Sequence, residues 1–282
     1  MLSRRRWRRL VMGLETVLGL QKRGFFLPYR HAADMRAPDS YPALEPLFRE
    51  AAGEFAAWLG RIETLAPDIE ALVASGRGCR LDQHWFPRMD ALIAYAVVRG
   101  QRPARIVEVG SGHSTRFMAA AIADGGLATR LTCIDPEPRA SLSSLEVTWR
   151  RSLLQTAPED DFRALQCGDI LFIDSSHLLM PGTDVDHLIG HLLPALPKGA
   201  WLHVHDIFLP DGYPEAWAWR GYNEQAAIAA LLQGGGYRLR FASRYVATHM
   251  GGQLGRHRLL APTRVTAEVD DLAGSLWLEK AV

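Results

Sequence analysis

Arg105-Ile-Val-Glu-Val-Gly-Ser-Gly-His-Ser-Thr-Arg-Phe117 is the stretch from which the rest of the chain is read. Ile106, Val107 and Val109 are β-branched and nearly continuous, the pattern of a strand covered on both faces. Gly110 and Gly112 bracket Ser111 and permit a tight turn with close backbone approach to a ligand. Ser114 and Thr115 are capping residues for a helix over 114–123, whose first N–H groups would face that ligand. Glu108 precedes the turn at the carboxyl end of the strand, the edge at which open α/β sheets bind ligands.

A second strand, Arg130-Leu-Thr-Cys-Ile-Asp135, follows one helix later and ends in an acid. An acid about 20 residues beyond a glycine turn accepts bonds from ribose hydroxyls in dinucleotide-type units. The third glycine of G-x-G-x-x-G is absent, because position 115 is Thr, and this departs from the nicotinamide fingerprint. Val107-Glu-Val-Gly-Ser-Gly112 with Ile134-Asp-Pro136 resembles the first two motifs of class I S-adenosylmethionine-dependent methyltransferases. The resemblance covers roughly residues 80–280. It implies a doubly wound, mostly parallel seven-stranded α/β sheet of Rossmann-like type. It also implies S-adenosylmethionine lying across Gly110, Ser111 and Gly112, flanked by Ser114 and Thr115, with Glu108 near its amino group and Asp135 on its ribose.

Further strands are expected at 146–154, Asp169–Asp174, Ala200–Asp206, 237–245 and 275–279, with helices near 137–145, 159–165, 183–193 and 222–233. The fourth and fifth strands end in Asp174 and Asp206, followed or preceded by His177 and His205. In a parallel sheet these carboxyl ends share one rim with Gly110, which makes the four residues the candidate reaction site. Two chemistries fit them. In one, His177 or His205 takes a proton from a substrate hydroxyl. In the other, Asp174 and Asp206 hold a divalent cation such as Mg²⁺, as in catechol-type O-methyltransferases. That resemblance calls for Asn after the second acid, and Ile207 stands there instead. His187 and His191, four apart on a helix, have chelating spacing but also the spacing of a solvated face.

The 282 residues are 48% hydrophobic and 22% charged, the composition of a globular chain with a sizeable core. A net charge of +1 gives no global electrostatic case for nucleic acid. Cys79, Cys133 and Cys167 are scattered and odd in number, which points away from a disulfide scaffold and towards a reducing cytoplasm. Residues 1–25 stand apart: Arg4, Arg5, Arg6, Arg8 and Arg9 precede Trp7, Leu10, Val11, Leu14, Val17 and Leu18 at helical spacing. Such a helix either packs on the body or a partner chain, or lies peripherally on an anionic membrane. Glu15 interrupts the apolar run, so a secretory signal is not expected, and neither is a transmembrane span. Residues 46–75 read as one or two helices broken near Pro67, giving an N-terminal helical extension over 1–78 before a cofactor-binding domain over 79–282. The 208–220 loop, with Tyr213, Trp217, Trp219 and Arg220, starts on the site rim and reads as a substrate wall or a packed Ω-like loop. Asp82, His84 and Trp85 read as pocket lining or edge packing.

The resulting expectation is methyl transfer from S-adenosylmethionine to a small-molecule hydroxyl, resembling bacterial small-molecule O-methyltransferases. A homo-oligomer is compatible with it. The alternatives are a non-catalytic module tethered by its basic N-terminal segment, and a nicotinamide oxidoreductase.

Overall fold

A computed structural model describes residues 4–261 and 272–282. The chain forms two compact units, Met1–Pro38 and Asp39–Val282. The first unit carries helix α1 (Arg4–Val17). The rest of the extension, α2 (Glu45–Thr64) and α3 (Ala66–Ala74), belongs to the larger unit. Pro67 lies in the first turn of α3, where its missing N–H costs nothing, and the two helices part at Leu65. Phe55 of α2 packs edge-on against Phe241 and Tyr245, and Trp58 against Trp201, which ties the extension into the core.

The core alternates strand and helix: α4 (Arg88–Gln101), β1 (Arg105–Val109), α5 (His113–Asp124), β2 (Arg130–Ile134), β3 (Thr148–Arg150), α6 (Glu159–Arg163) and β4 (Ile170–Ile173). There follow α7 (Asp184–His187), a π-helical stretch over Leu188–Leu192, α8 (Leu193–Ala195), β5 (Trp201–Val204), α9 (Glu224–Gln233) and β6 (Tyr237–Ala242). Short helices α10 (Ser243–His249) and α11 (Gly251–Leu254) come next, and β7 (Leu276–Lys280) closes the chain. The expected segment 248–272 therefore begins in helix, and its remainder over 262–271 lies outside the described residues.

Seven strands form one sheet in the order β3-β2-β1-β4-β5-β7-β6. The first five are parallel, and β7 runs antiparallel between β5 and β6. This is the doubly wound α/β sheet expected from the strand pattern. The helix expected near 137–145 does not form. Pro136, Pro138 and a serine-rich run occupy the segment, and the Arg139 N–H is spent on the Ser111 carbonyl at 3.2 Å. The order places β4 beside β1, so the Asp174 N–H donates to the Val109 carbonyl at 2.9 Å. His205 extends the same register next door, donating its N–H to the Ile173 carbonyl at 2.9 Å. Three strand ends, one after another, thus define the rim.

Candidate functional site

The glycine turn forms one side of the rim. Gly110 has φ +79°, and a Cβ there would lie 1.8 Å from the Asp174 carbonyl oxygen, so no side chain fits. Asp135 is buried beneath the turn. One of its oxygens accepts from the Ser111 N–H at 2.6 Å and the Ser111 hydroxyl at 3.0 Å; the other accepts from the Glu137 N–H at 2.7 Å. Arg139, with its N–H on Ser111, lays its guanidinium over the exposed Trp85 ring at 4.4 Å. Trp85 therefore borders the turn, while Asp82 pairs with Arg80 in solvent.

Glu108, expected near the cofactor's amino group, lies inside the turn. It is fully buried, and its oxygens accept from the Ser114 and Thr115 hydroxyls at 2.5 and 2.6 Å and from the Cys133 thiol at 3.2 Å. Burial raises its carboxyl to about 7, against the pull of those hydroxyls. Ser114 and Thr115 are likewise buried and spend their hydroxyl protons on Glu108, while Thr115 also accepts the Gly112 N–H at 2.9 Å. Their side chains brace the turn from within.

The other side of the rim is a charge cluster, and all four expected residues meet in it. His177 Nε2 lies 3.4 Å from Asp174 Oδ1 and 3.6 Å from Asp206 Oδ2. His205 Nδ1 lies 3.6 Å from the same Asp174 oxygen and 3.4 Å from Asp206 Oδ1. Two carboxylates that the sequence reading did not single out complete it. Glu224, at the start of α9, takes His177 Nδ1 at 2.9 Å. Asp90, in the first turn of α4, takes His205 Nε2 at 3.1 Å and also accepts the N–H groups of Gly274 and Ser275 at 3.0 and 3.1 Å. Both are buried acids, a feature that needs a partner. Asp90 sits inside the apolar face of α4 in the sequence, and that placement was the available signal; Glu224 reads as an ordinary helix-start acid.

Every ring nitrogen of His177 and His205 thus faces a carboxylate oxygen. Burial disfavours the charged rings, but the surrounding acids outweigh it and hold both well above the ordinary imidazole value. Burial of Asp174 is outweighed in turn by His205 and His177, which hold its carboxyl well below the usual carboxylate range. Both histidines are therefore imidazolium donors at neutral pH, and neither has a nitrogen left to accept a proton. Between the two rings lies the Asp174 carboxylate, its Oδ1 3.4 Å from His177 Nε2 and 3.6 Å from His205 Nδ1. The geometry bears equally on the expected Asp174–Asp206 cation site. The facing oxygens of both acids already meet imidazolium charge, and Asp206 Oδ2 also lies 3.8 Å from Arg220 Nη1. Among the described residues, no group of three or more His, Cys, Asp or Glu is arranged to hold a metal ion. His187 and His191, with ring centroids 5.1 Å apart, stand together on the α7 side as a pair only.

Backbone strain gathers at the cluster. His177 and Asp206 hold φ of +59° and +55°, a conformation that costs non-glycine residues on the order of 1–3 kcal/mol each. Asn223 pins the His177 loop: its N–H donates to the His177 carbonyl at 3.2 Å and its Oδ1 accepts from Leu179 N–H at 2.7 Å. His203, two residues before His205, is a core residue. It stacks on Phe172 at 3.7 Å and meets Ser275 Oγ at 2.8 Å, and burial followed by the His205 charge holds it well below the imidazole value. The aromatic loop walls the cluster: the Arg220 guanidinium lies over Trp217 at 4.0 Å, and Tyr222 tilts over the His177 ring at 4.6 Å.

Residues 107–207 match the model of a methyltransferase domain family. A search of curated proteins finds no significant match. Among solved structures, a methyltransferase of Podospora anserina bound to S-adenosylhomocysteine is similar at 14% identity, covering 92% of this chain and all of that one, with a TM-score of 0.42. The plantazolicin methyltransferase BpumL is similar at 14% identity over 83% of this chain and 99% of its own, with a TM-score of 0.43. A branched-chain polyamine synthase from Thermus thermophilus is similar at 17% identity over 67% of this chain, with a TM-score of 0.40, and the match spans 55% of that protein's length.

Proposed function

We propose that the chain is a class I S-adenosylmethionine-dependent methyltransferase, a reading supported by the match of residues 107–207 to a methyltransferase domain family, and that it methylates a hydroxyl oxygen of a small molecule bound against Asp174. The observation that carries this reading is the carboxylate–imidazolium cluster beside the glycine turn. S-adenosylmethionine supplies an activated methyl group, transferred by in-line displacement, so the protein's share is alignment and handling of one proton.

Asp174 is the acid of the cluster with the most open side chain, 27% exposed, against 12% for Asp206. A hydroxyl seated there donates its hydrogen bond to the Asp174 carboxylate. As the oxygen gains carbon it becomes strongly acidic, so a carboxylate of low pKa suffices to take the proton. His177 and His205 keep Asp174 ionised until then, and their positive charge favours oxygen density that builds at the acceptor. Asp206, itself 3.8 Å from Arg220, shares the same His177 Nε2 and His205 Nδ1 with Asp174, while Glu224 and Asp90 hold the far nitrogens. Asp135, through Ser111, holds the turn in shape for the cofactor, and the family pattern would set its carboxylate on the ribose.

The test is a panel of small hydroxylated acceptors set against matched amines, with methylated product read by mass spectrometry and NAD⁺ as a control cofactor. Turnover on hydroxyls that collapses in Asp174→Asn, with S-adenosylhomocysteine affinity retained in calorimetry, supports the reading. Preference for amines, or full activity in Asp174→Asn, overturns it.

A further inference from the structure

The first 38 residues differ in charge from everything after them. They hold nine Lys and Arg against two Asp and Glu, a net of +7. The whole chain has 32 basic and 31 acidic residues, so the remainder carries 23 against 29, a net of −6. Within this segment α1 sorts its residues by side. At 100° per residue, Val17, Leu10, Leu14, Trp7 and Val11 fall within an arc of about 120°, and Arg4, Arg6, Arg8 and Arg9 fall outside it, with Arg4 and Arg6 at its two borders. The apolar side is exposed along its length: Trp7 is 58%, Leu14 51% and Val17 56% accessible. Exposed Leu18, Leu20, Phe26 and Leu27 extend it beyond the helix, with Lys22 seated over the Phe25 ring at 4.8 Å. Arg23 pairs with Glu15 at 3.1 Å, so the acid that interrupts the helix is neutralised.

We propose that residues 4–27 dock in the plane of an anionic lipid bilayer, with Trp7, Leu10 and Leu14 entering the acyl boundary and the arginines meeting lipid phosphates. The helix has 14 residues, about 21 Å at 1.5 Å per residue, which is short of a span and long enough to lie at the interface. No described helix is long and apolar enough to cross a membrane. Charge complementarity selects this occupant. A second copy pairing through the apolar side would bring +7 against +7, and a nucleic acid would use the arginines and leave the apolar side without a partner. Just past this segment the chain joins the site loop. The Tyr41 N–H donates to the Pro210 carbonyl at 2.6 Å and the Gly212 N–H to the Asp39 carbonyl at 2.7 Å, in the loop that begins directly after Asp206.

The test uses the full chain in co-sedimentation with vesicles of phosphatidylcholine alone or mixed equally with phosphatidylglycerol. Binding to the mixed vesicles is expected to be tighter by about tenfold or more, and to weaken with added salt. Leu10→Glu with Leu14→Glu, and separately Arg6→Gln with Arg8→Gln and Arg9→Gln, should each reduce it about tenfold. S-adenosylhomocysteine affinity, measured alongside, should stay unchanged and certifies folding of the variants. Equal binding to both vesicle types, or undiminished binding in the Leu→Glu variant, overturns the proposal. So does the absence of vesicle binding, whether accompanied by a dimer that the Leu→Glu change splits into monomers or by oligonucleotide binding that survives it.

Discussion

The two sides of the rim are built by opposite means. The glycine turn is assembled from residues close in sequence and braced by hydroxyl and backbone donors on two acids: Glu108, Ser114, Thr115 and Asp135 lie within 28 residues of one another. The acid–histidine cluster draws on Asp90, Asp174, His177, His205, Asp206 and Glu224, from four places in the chain, and is held by opposed charges. A local network keeps its shape through chain connectivity, whereas a cluster gathered from afar keeps it only while every charge has its partner. The strain at His177 and Asp206 falls on the second kind, where six partners over-determine the conformation.

The harshest break of this comparison is at the seam. Gly110→Ala forces a Cβ onto the Asp174 carbonyl and a left-handed φ onto alanine, so both sides move together. A loss of about 3 kcal/mol in urea unfolding is expected, from about 1–2 for the conformation and the remainder for the overlap. A stability within about 1 kcal/mol of the natural chain would mean that the two sides are not in fact pressed together.

Next in size is Asp174→Asn, which leaves the turn intact and should cost turnover about 10²–10³-fold, the range for losing a positioned proton acceptor. Glu224→Gln should cost less, about tenfold, because Glu224 positions His177 and does not face the acceptor. Its signature is in pH. His177 has its folded pKa raised, so the stability it contributes is full below about 6.5 and is lost as pH rises through the folded value. Removing the Glu224 charge lowers that value, so the alkaline limbs of both turnover and stability should move to lower pH, and Glu224→Asp should restore part of the shift. A uniform drop at all pH values would reduce Glu224 to packing.

The same contrast explains what could be read from the sequence. The sheet was legible because each strand is a short β-branched run with a turn at its carboxyl end, and Asp174 and Asp206 were legible because parallel strands must end on one side. Their histidine neighbours followed from sequence adjacency. The roles were not legible. A histidine acting as base needs a free ring nitrogen, and two of the acids that face those nitrogens lie 47 and 115 residues away in the chain. Glu108 is the reverse case. Its position at the strand end suggested the ligand side, but strand alternation turns it inward, where Ser114 and Thr115 close over it.

That inward carboxyl gives the finest test of the local side. The folded chain holds a proton on Glu108 up to about pH 7, whereas an unfolded glutamate releases it near 4.5. The folded state therefore binds more protons in that window, and this group's contribution makes stability fall as pH rises from 4.5 to 7. Glutamine is close in shape to the protonated acid and has no proton to lose. The difference in unfolding free energy between Glu108→Gln and the natural chain isolates the group from every other titration. It should be small near pH 5 and move in favour of glutamine towards pH 8, where the natural chain carries a charge in a fully buried position. A difference that stays flat across this range would mean that the three donors around Glu108 satisfy the ionised carboxylate completely, and that the turn is braced by charge after all, like the cluster opposite.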